Sequence, residues 1–124
     1  MRTIVLNERG YEERTVENEL RVMQGLVGGY IEIMYLPHDI LCVINEEGKL
    51  RGLKPVAGMM WNGQLADIVA GTCVFVTEDD EGDFASLTDE QVAYLKAELD
   101  NEDRFLMAGG NVLPVLTWYD ENAC

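Results

Sequence analysis

A chain of 124 residues with 9 Lys or Arg against 23 Asp or Glu carries a formal charge of −14. That excludes nonspecific grip on a phosphate backbone, which needs clustered cations that release counterions. Its 48% hydrophobic content excludes a disordered chain, its length fits one domain over residues 1–124, and no 18-residue apolar run offers a membrane-crossing helix.

Thr3-Ile4-Val5-Leu6 is a β-branched apolar run that ends in the turn residues Asn7-Glu8-Arg9-Gly10, and it predicts a first strand. The run is too short, and Glu8 follows too soon, for the core of an export signal, so a cytoplasmic protein is expected. Residues 11–16, rich in charge, predict an edge strand whose charges discourage pairing with other chains. From Glu17 onward Leu20, Met23 and Val27 recur at helical spacing, and Gly28-Gly29 supplies the stop. Residues 30–36 and 40–44 are strong β formers split by Pro37-His38-Asp39, the pattern of a hairpin. Asn45-Glu46-Glu47-Gly48 reads as a turn, and residues 49–55 as an extended or irregular segment.

Residues 59–63 read as a loop with apolar anchors and residues 64–70 as a short helix ended by Gly71. Residues 72–76 have the β-branched and aromatic density of a buried central strand, and residues 78–83 form a solvated acidic loop. Thr88 with Gln91 three positions on has capping-box spacing, and Asp89 and Glu90 suit the positive end of a helix. Val92, Leu95 and Leu99 then face the core, with Lys96 and Glu98 outward. After Gly109-Gly110-Asn111, residues 112–119 predict a final strand or packed arm. Hairpins with interspersed helices predict an α+β domain, mainly an antiparallel sheet with two or three helices packed on one face.

Cys42, Cys73 and Cys124 are an odd set at wide spacing without a CxxC pair, which suits reduced thiols: two core fillers and an exposed terminal one. His38 sits between Pro37 and Asp39, where a surface turn residue is expected, and a single imidazole without a motif does not make a catalytic site. Nothing resembles a Ser-His-Asp order, HExxH or a P-loop, and Gly28-Gly29 lacks the GxGxxG pattern for a pyrophosphate. The chain is therefore expected to be no enzyme, with no cofactor and no metal. Glu78, Asp79, Asp80, Glu81 and Asp83 crowd carboxylates on one loop, but no twelfth-position glutamate completes an EF-hand. They either keep the protein soluble or, arrayed along one face, mimic nucleic acid against a basic protein surface.

Lys49, Arg51 and Lys54 form the one local cluster of cations, with Gly48 and Gly52 nearby. In an alternating strand Lys49 and Arg51 share a face, Arg can fork two bonds to a phosphate, and Asn45 or Trp61 could contact a base or ribose. Salt links to Glu46, Glu47 or the acidic loop would account for the same cations.

The segments VGGYIEIMYLPHDILCVINEEGKLRGLKP and DDEGDFASLTDEQ resemble the family called domain of unknown function 3846, small proteins encoded largely by phages, plasmids and bacterial mobile elements. The resemblance covers most of residues 1–99, so residues 1–100 are read as a family-like core and residues 101–124 as a C-terminal extension. It implies an α+β fold and bacterial or phage cytoplasm, brings no catalytic residues, and sets a counter-defence context. Residues and resemblance together describe a non-enzymatic mobile-element protein that sequesters a small anionic ligand such as a signalling nucleotide. The alternative is an acidic inhibitor or DNA mimic that binds a basic surface of a host defence protein. Direct nucleic-acid and membrane partners are not expected, and a homo-oligomer would be a natural stabiliser for so short a chain.

Overall fold

The apolar run at the N-terminus becomes β1 (Arg2–Asn7), and the turn after it returns the chain as β2 (Gly10–Thr15) in the computed structural model, which describes residues 1–118. Next come α1 (Leu20–Val27), the hairpin β3 (Ile31–Leu36) and β4 (Ile40–Asn45), and a second hairpin, β5 (Pro55–Trp61) and β6 (Gln64–Ala70). The chain continues through β7 (Cys73–Glu78), β8 (Phe84–Ala85), α2 (Asp89–Leu99) and a last hairpin, β9 (Phe105–Ala108) and β10 (Asn111–Thr117). One larger sheet has the order β2-β1-β7-β4-β3, with β8 paired to the end of β7 and every pairing antiparallel. The charged β2 lies at its edge, as the sequence predicts, and β7 at its centre.

Strands β1, β4 and β7 are buried on both faces, which is why they read as unbroken apolar runs. Alternation sorts their side chains: Ile4, Leu6, Cys42, Cys73 and Phe75 point into one core, and Val5, Leu41, Val43, Val74 and Val76 into another. Met23 and Val27 of α1 complete the second core, whereas Val92 and Leu95 of α2 complete the first. The helices thus lie on opposite faces, not together on one. The reason is area: helices on one face would leave five aliphatic side chains on the other in water, at about 1.5–3 kcal/mol each.

A second sheet, of order β6-β5-β10-β9, helps cover the α2 face and departs from the single sheet expected. Its Val56, Ala57, Met59, Val69 and Leu116 join the first core. Strand β10 runs parallel to β5, with Val115 opposite Gly58, and the other pairings are antiparallel. Residues 59–63 are therefore no loop and residues 64–70 no helix. Asn62 and Gly63, both at positive φ (52° and 78°), make the tight turn of a hairpin. Register shifts after Pro55 and Met59 disrupt strict alternation, so Leu65, Ile68 and Val69 fall at helix-like spacing. The final strand is β10, and Tyr119, which the sequence reading included in it, lies outside the described residues, as does Cys124.

The capping box at α2 forms as read: Thr88 Oγ1 accepts from Gln91 N at 3.1 Å, and Gln91 Oε1 from Thr88 N at 3.0 Å. Gln91 Nε2 also donates to the His38 carbonyl (2.8 Å), tying the β3–β4 turn to the helix. His38 is exposed there, its ring 4.4 Å from that of Tyr94. Glu98, expected outward, is instead buried, because Arg104 just beyond the helix and Tyr94 one turn before it both bind its carboxylate. Cys42 and Cys73 are buried free thiols, as expected of core fillers. Among the described residues no helix is long and apolar enough to cross a membrane.

Candidate functional site

Helix α1 ends at Gly28, whose φ of 82° lets its N–H and that of Gly29 turn back to the Gln24 carbonyl. Two further carbonyls at this end would be orphaned, and side chains from the segment after β4 take them. Asn45 Nδ2 donates to the Val27 carbonyl at 3.0 Å, while Asn45 Oδ1 accepts from Glu47 N at 2.8 Å. Arg51 Nη1 donates to the Gly28 carbonyl at 2.7 Å. The segment that carries Arg51, expected to be extended or irregular, is irregular. Arg51 N bonds to the Glu47 carbonyl, Gly52 N to Lys49 and Leu53 N to Gly48, so it winds through successive turns and extends only from Pro55. Gly48 is needed there because a Cβ would collide with the Ala70 carbonyl oxygen at the end of β6.

A cleft of about 640 Å³ opens between the β1–β2 turn, the end of α1 and this wound segment. Glu8, Arg9, Arg51 and Lys54 line it, above an apolar floor that includes Leu26 and Val56. Three cations against one carboxylate is the reverse of the chain's overall balance. Lys54 Nζ lies 3.0 Å from Glu8 Oε2 and is partly neutralised. Arg9 and Arg51 make no ion pair among the described residues, whereas the other seven of the nine Lys and Arg do: Arg2, Arg14, Arg21, Lys49, Lys54, Lys96 and Arg104. The two arginines left over line the same cleft. Arg51 has spent one donor on Gly28, and a guanidinium carries five N–H donors.

The structure therefore divides the residues expected to bind ligand. Arg51 and Lys54 come together in the cleft. Lys49 does not share their face: its Nζ lies 2.6 Å from Asp67 Oδ1, in a separate hollow of about 140 Å³. Asn45 is buried with both ends of its amide committed to backbone, so its role is structural. Trp61 stands at the far end of β5, six residues from Pro55 and about 20 Å along the strand, which removes it from Lys54. The partners of Lys49 and Lys54 are Asp67 and Glu8 rather than Glu46, Glu47 or the acidic loop. Arg9 was missed because it lies in a different turn, and only the three-dimensional approach of β1–β2 to α1 adds it to Arg51.

The acidic residues form a tight turn between β7 and β8. Asp79 Oδ1 accepts from Glu81 N (2.9 Å) and Asp83 N (3.0 Å), which fixes the loop and leaves Glu78, Asp80, Glu81 and Asp83 exposed. A second polar cluster closes the other end of α2. Glu98 accepts from Tyr94 Oη at 2.8 Å and pairs with Arg104, whose Nη1 also reaches Thr117 Oγ1 at 3.4 Å. Burial, and then the Glu98 carboxylate, push the Tyr94 hydroxyl up to about 12. Among the described residues no three of His, Cys, Asp and Glu gather as metal ligands would.

Fold and cleft together define a small two-sheet α+β domain with a cationic recess in an acidic surface. The family model described as Domain of unknown function (DUF3846) matches residues 1–100, and the chain belongs to that family. No curated protein and no solved structure matches it. The matched residues include every cleft residue named above, while β9 and β10 lie beyond them.

Proposed function

We propose that this chain is a non-enzymatic binding protein that sequesters a small anionic ligand, such as a signalling nucleotide, in the cleft between the β1–β2 turn and the end of α1. One observation carries the reading: the two basic side chains without an ion-pair partner among the described residues, Arg9 and Arg51, line that one recess. Forked guanidinium donors suit phosphate or carboxylate oxygens, and the apolar floor limits water. The charge of −14 slows an approaching anion, so selectivity resides in the recess and not in long-range attraction. In a phage or mobile-element host cell, removing a nucleotide signal would act as counter-defence.

A thermal-shift screen with a nucleotide panel tests this. A ligand at a hundred times its Kd adds about 2.7 kcal/mol of stability, a rise in Tm of about 10 °C. Arg9→Ala/Arg51→Ala should abolish the rise. No rise with any anion, in wild type as in the double variant, would defeat the reading.

The exposed carboxylates of the β7–β8 turn, which make no ion pair among the described residues, support a second reading: an inhibitor that covers a basic protein surface. It requires a partner held at low salt and released at high salt, and released equally by neutralising Asp80, Glu81 and Asp83.

A further inference from the structure

Beside the cationic cleft, on the other side of Arg51, lies a second hollow of about 350 Å³ lined by Gln24, Gly29, Tyr30, Asn45, Glu47 and Arg51. Arg51 is common to both. Gly29 makes room for it, since a Cβ there would come within 3.0 Å of Asn45 Nδ2 and 3.2 Å of Arg51 Nη1. Tyr30 is 72% exposed although it directly precedes a strand, and its carbonyl accepts from Glu46 N at 2.9 Å, which holds its backbone in place. A large aromatic left in water on an anchored backbone offers a flat stacking surface at small entropic expense. Asn45 has each end of its amide engaged by backbone, and Gln24, the Glu47 carboxylate and the shared Arg51 guanidinium are the other charged or amide groups of this hollow. Glu47 makes no ion pair among the described residues.

The two hollows differ in charge: Arg9, Arg51 and Lys54 outnumber Glu8 in the cleft, whereas the smaller hollow sets Glu47 against the shared Arg51 alone. A carboxylate repels phosphate, so a ligand's anionic end belongs with Arg9, Arg51 and Lys54, and Glu47 faces whatever donates N–H groups. Building on the anion-binding reading above, we infer that the ligand is a nucleotide whose phosphate lies in the larger cleft and whose base stacks on Tyr30. Glu47 selects a base that presents adjacent N–H donors. Guanine does so through its ring N–H and exocyclic amine, whereas adenine presents only its amine beside an acceptor nitrogen.

Calorimetric titration with guanosine monophosphate, adenosine monophosphate and ribose 5-phosphate at low ionic strength tests this. Wild type, Tyr30→Ala, Tyr30→Phe and Glu47→Gln are to be compared. Guanosine monophosphate should bind about tenfold tighter than ribose 5-phosphate in wild type. Tyr30→Ala should erase that margin without weakening ribose 5-phosphate, Tyr30→Phe should keep it, and Glu47→Gln should bring the guanine nucleotide down to the adenine one. Equal affinity for all three probes in wild type, or equal weakening of all three by Tyr30→Ala, overturns the base compartment and leaves the anion cleft standing. Equal binding of the two nucleotides above ribose 5-phosphate keeps Tyr30 as the platform and overturns the selection by Glu47. Failure of every probe to bind overturns the nucleotide inference, whereas the anion reading falls only when the thermal-shift panel also gives no rise.

Discussion

Each helix ends beside an arginine, and the two arginines are employed differently. At the end of α2, Arg104 meets Glu98, which also takes the Tyr94 hydroxyl, and the group reaches across to Thr117 on β10. At the end of α1, Arg51 meets a backbone carbonyl, that of Gly28, and no carboxylate among the described residues. Both arrangements satisfy a helix terminus or a neighbouring strand, but in the first the positive charge is consumed inside the protein. In the second it stays on offer beside Arg9. In a chain of net charge −14, a cation without a carboxylate is the uncommon case, and it is this scarcity, more than the presence of arginine, that marks a recess as a site.

The largest test of that contrast is Glu98→Ala. It leaves Arg104, whose Nε is already buried without an acceptor among the described residues, lacking its counter-charge, and frees Tyr94 as well. A loss of about 2–3 kcal/mol in urea denaturation is expected, with ligand affinity of the folded protein unchanged. Arg51→Ala should reverse the pattern: under about 1 kcal/mol of stability and most of the ligand affinity lost. Equal stability losses in the two variants would break the comparison. Between them falls Thr88→Ala, which removes the capping hydroxyl and should cost about 1 kcal/mol without touching the α1 cleft.

The last effect is one of pH, confined to alkaline solution. Tyr94 titrates near 10 in an unfolded chain and near 12 when folded, so its contribution is complete below pH 10 and is lost as pH rises toward 12. Stability should decline across that window, and Tyr94→Phe should flatten the decline. A slope unchanged in Tyr94→Phe would place its origin elsewhere.

Where a segment's structure depends on its own residues, it was legible. The central strand at β7, the charged edge at β2, the β3–β4 hairpin, the Gly28 stop and the Thr88 capping box all follow from local chemistry. Strands β5 and β6 were not, because register shifts disturbed the two-residue period and the Asn62-Gly63 turn signal was passed over. The opposed helices required knowing that β1, β4 and β7 are covered on both sides. For the cleft, sequence supplied Arg51 and Lys54 but grouped them with Lys49, which the wound segment turns toward Asp67. Arg9 carried no motif, Tyr30 stood in the family-like run without a role assigned to it, and no local pattern assigned Arg104 to Glu98 across the end of α2.

The parallel pairing of β10 with β5 also governs the order in which the molecule is made. Val115 sits opposite Gly58, so the small sheet joins partners far apart in the chain, and loop closure of that length slows assembly. During synthesis β5 has its antiparallel neighbour β6 early, but its other edge waits until β10 has also left the ribosome. Until then a strand with buried-type residues such as Ala57 and Met59 presents unpaired amides, and that interval is when a nascent copy is most open to pairing with another.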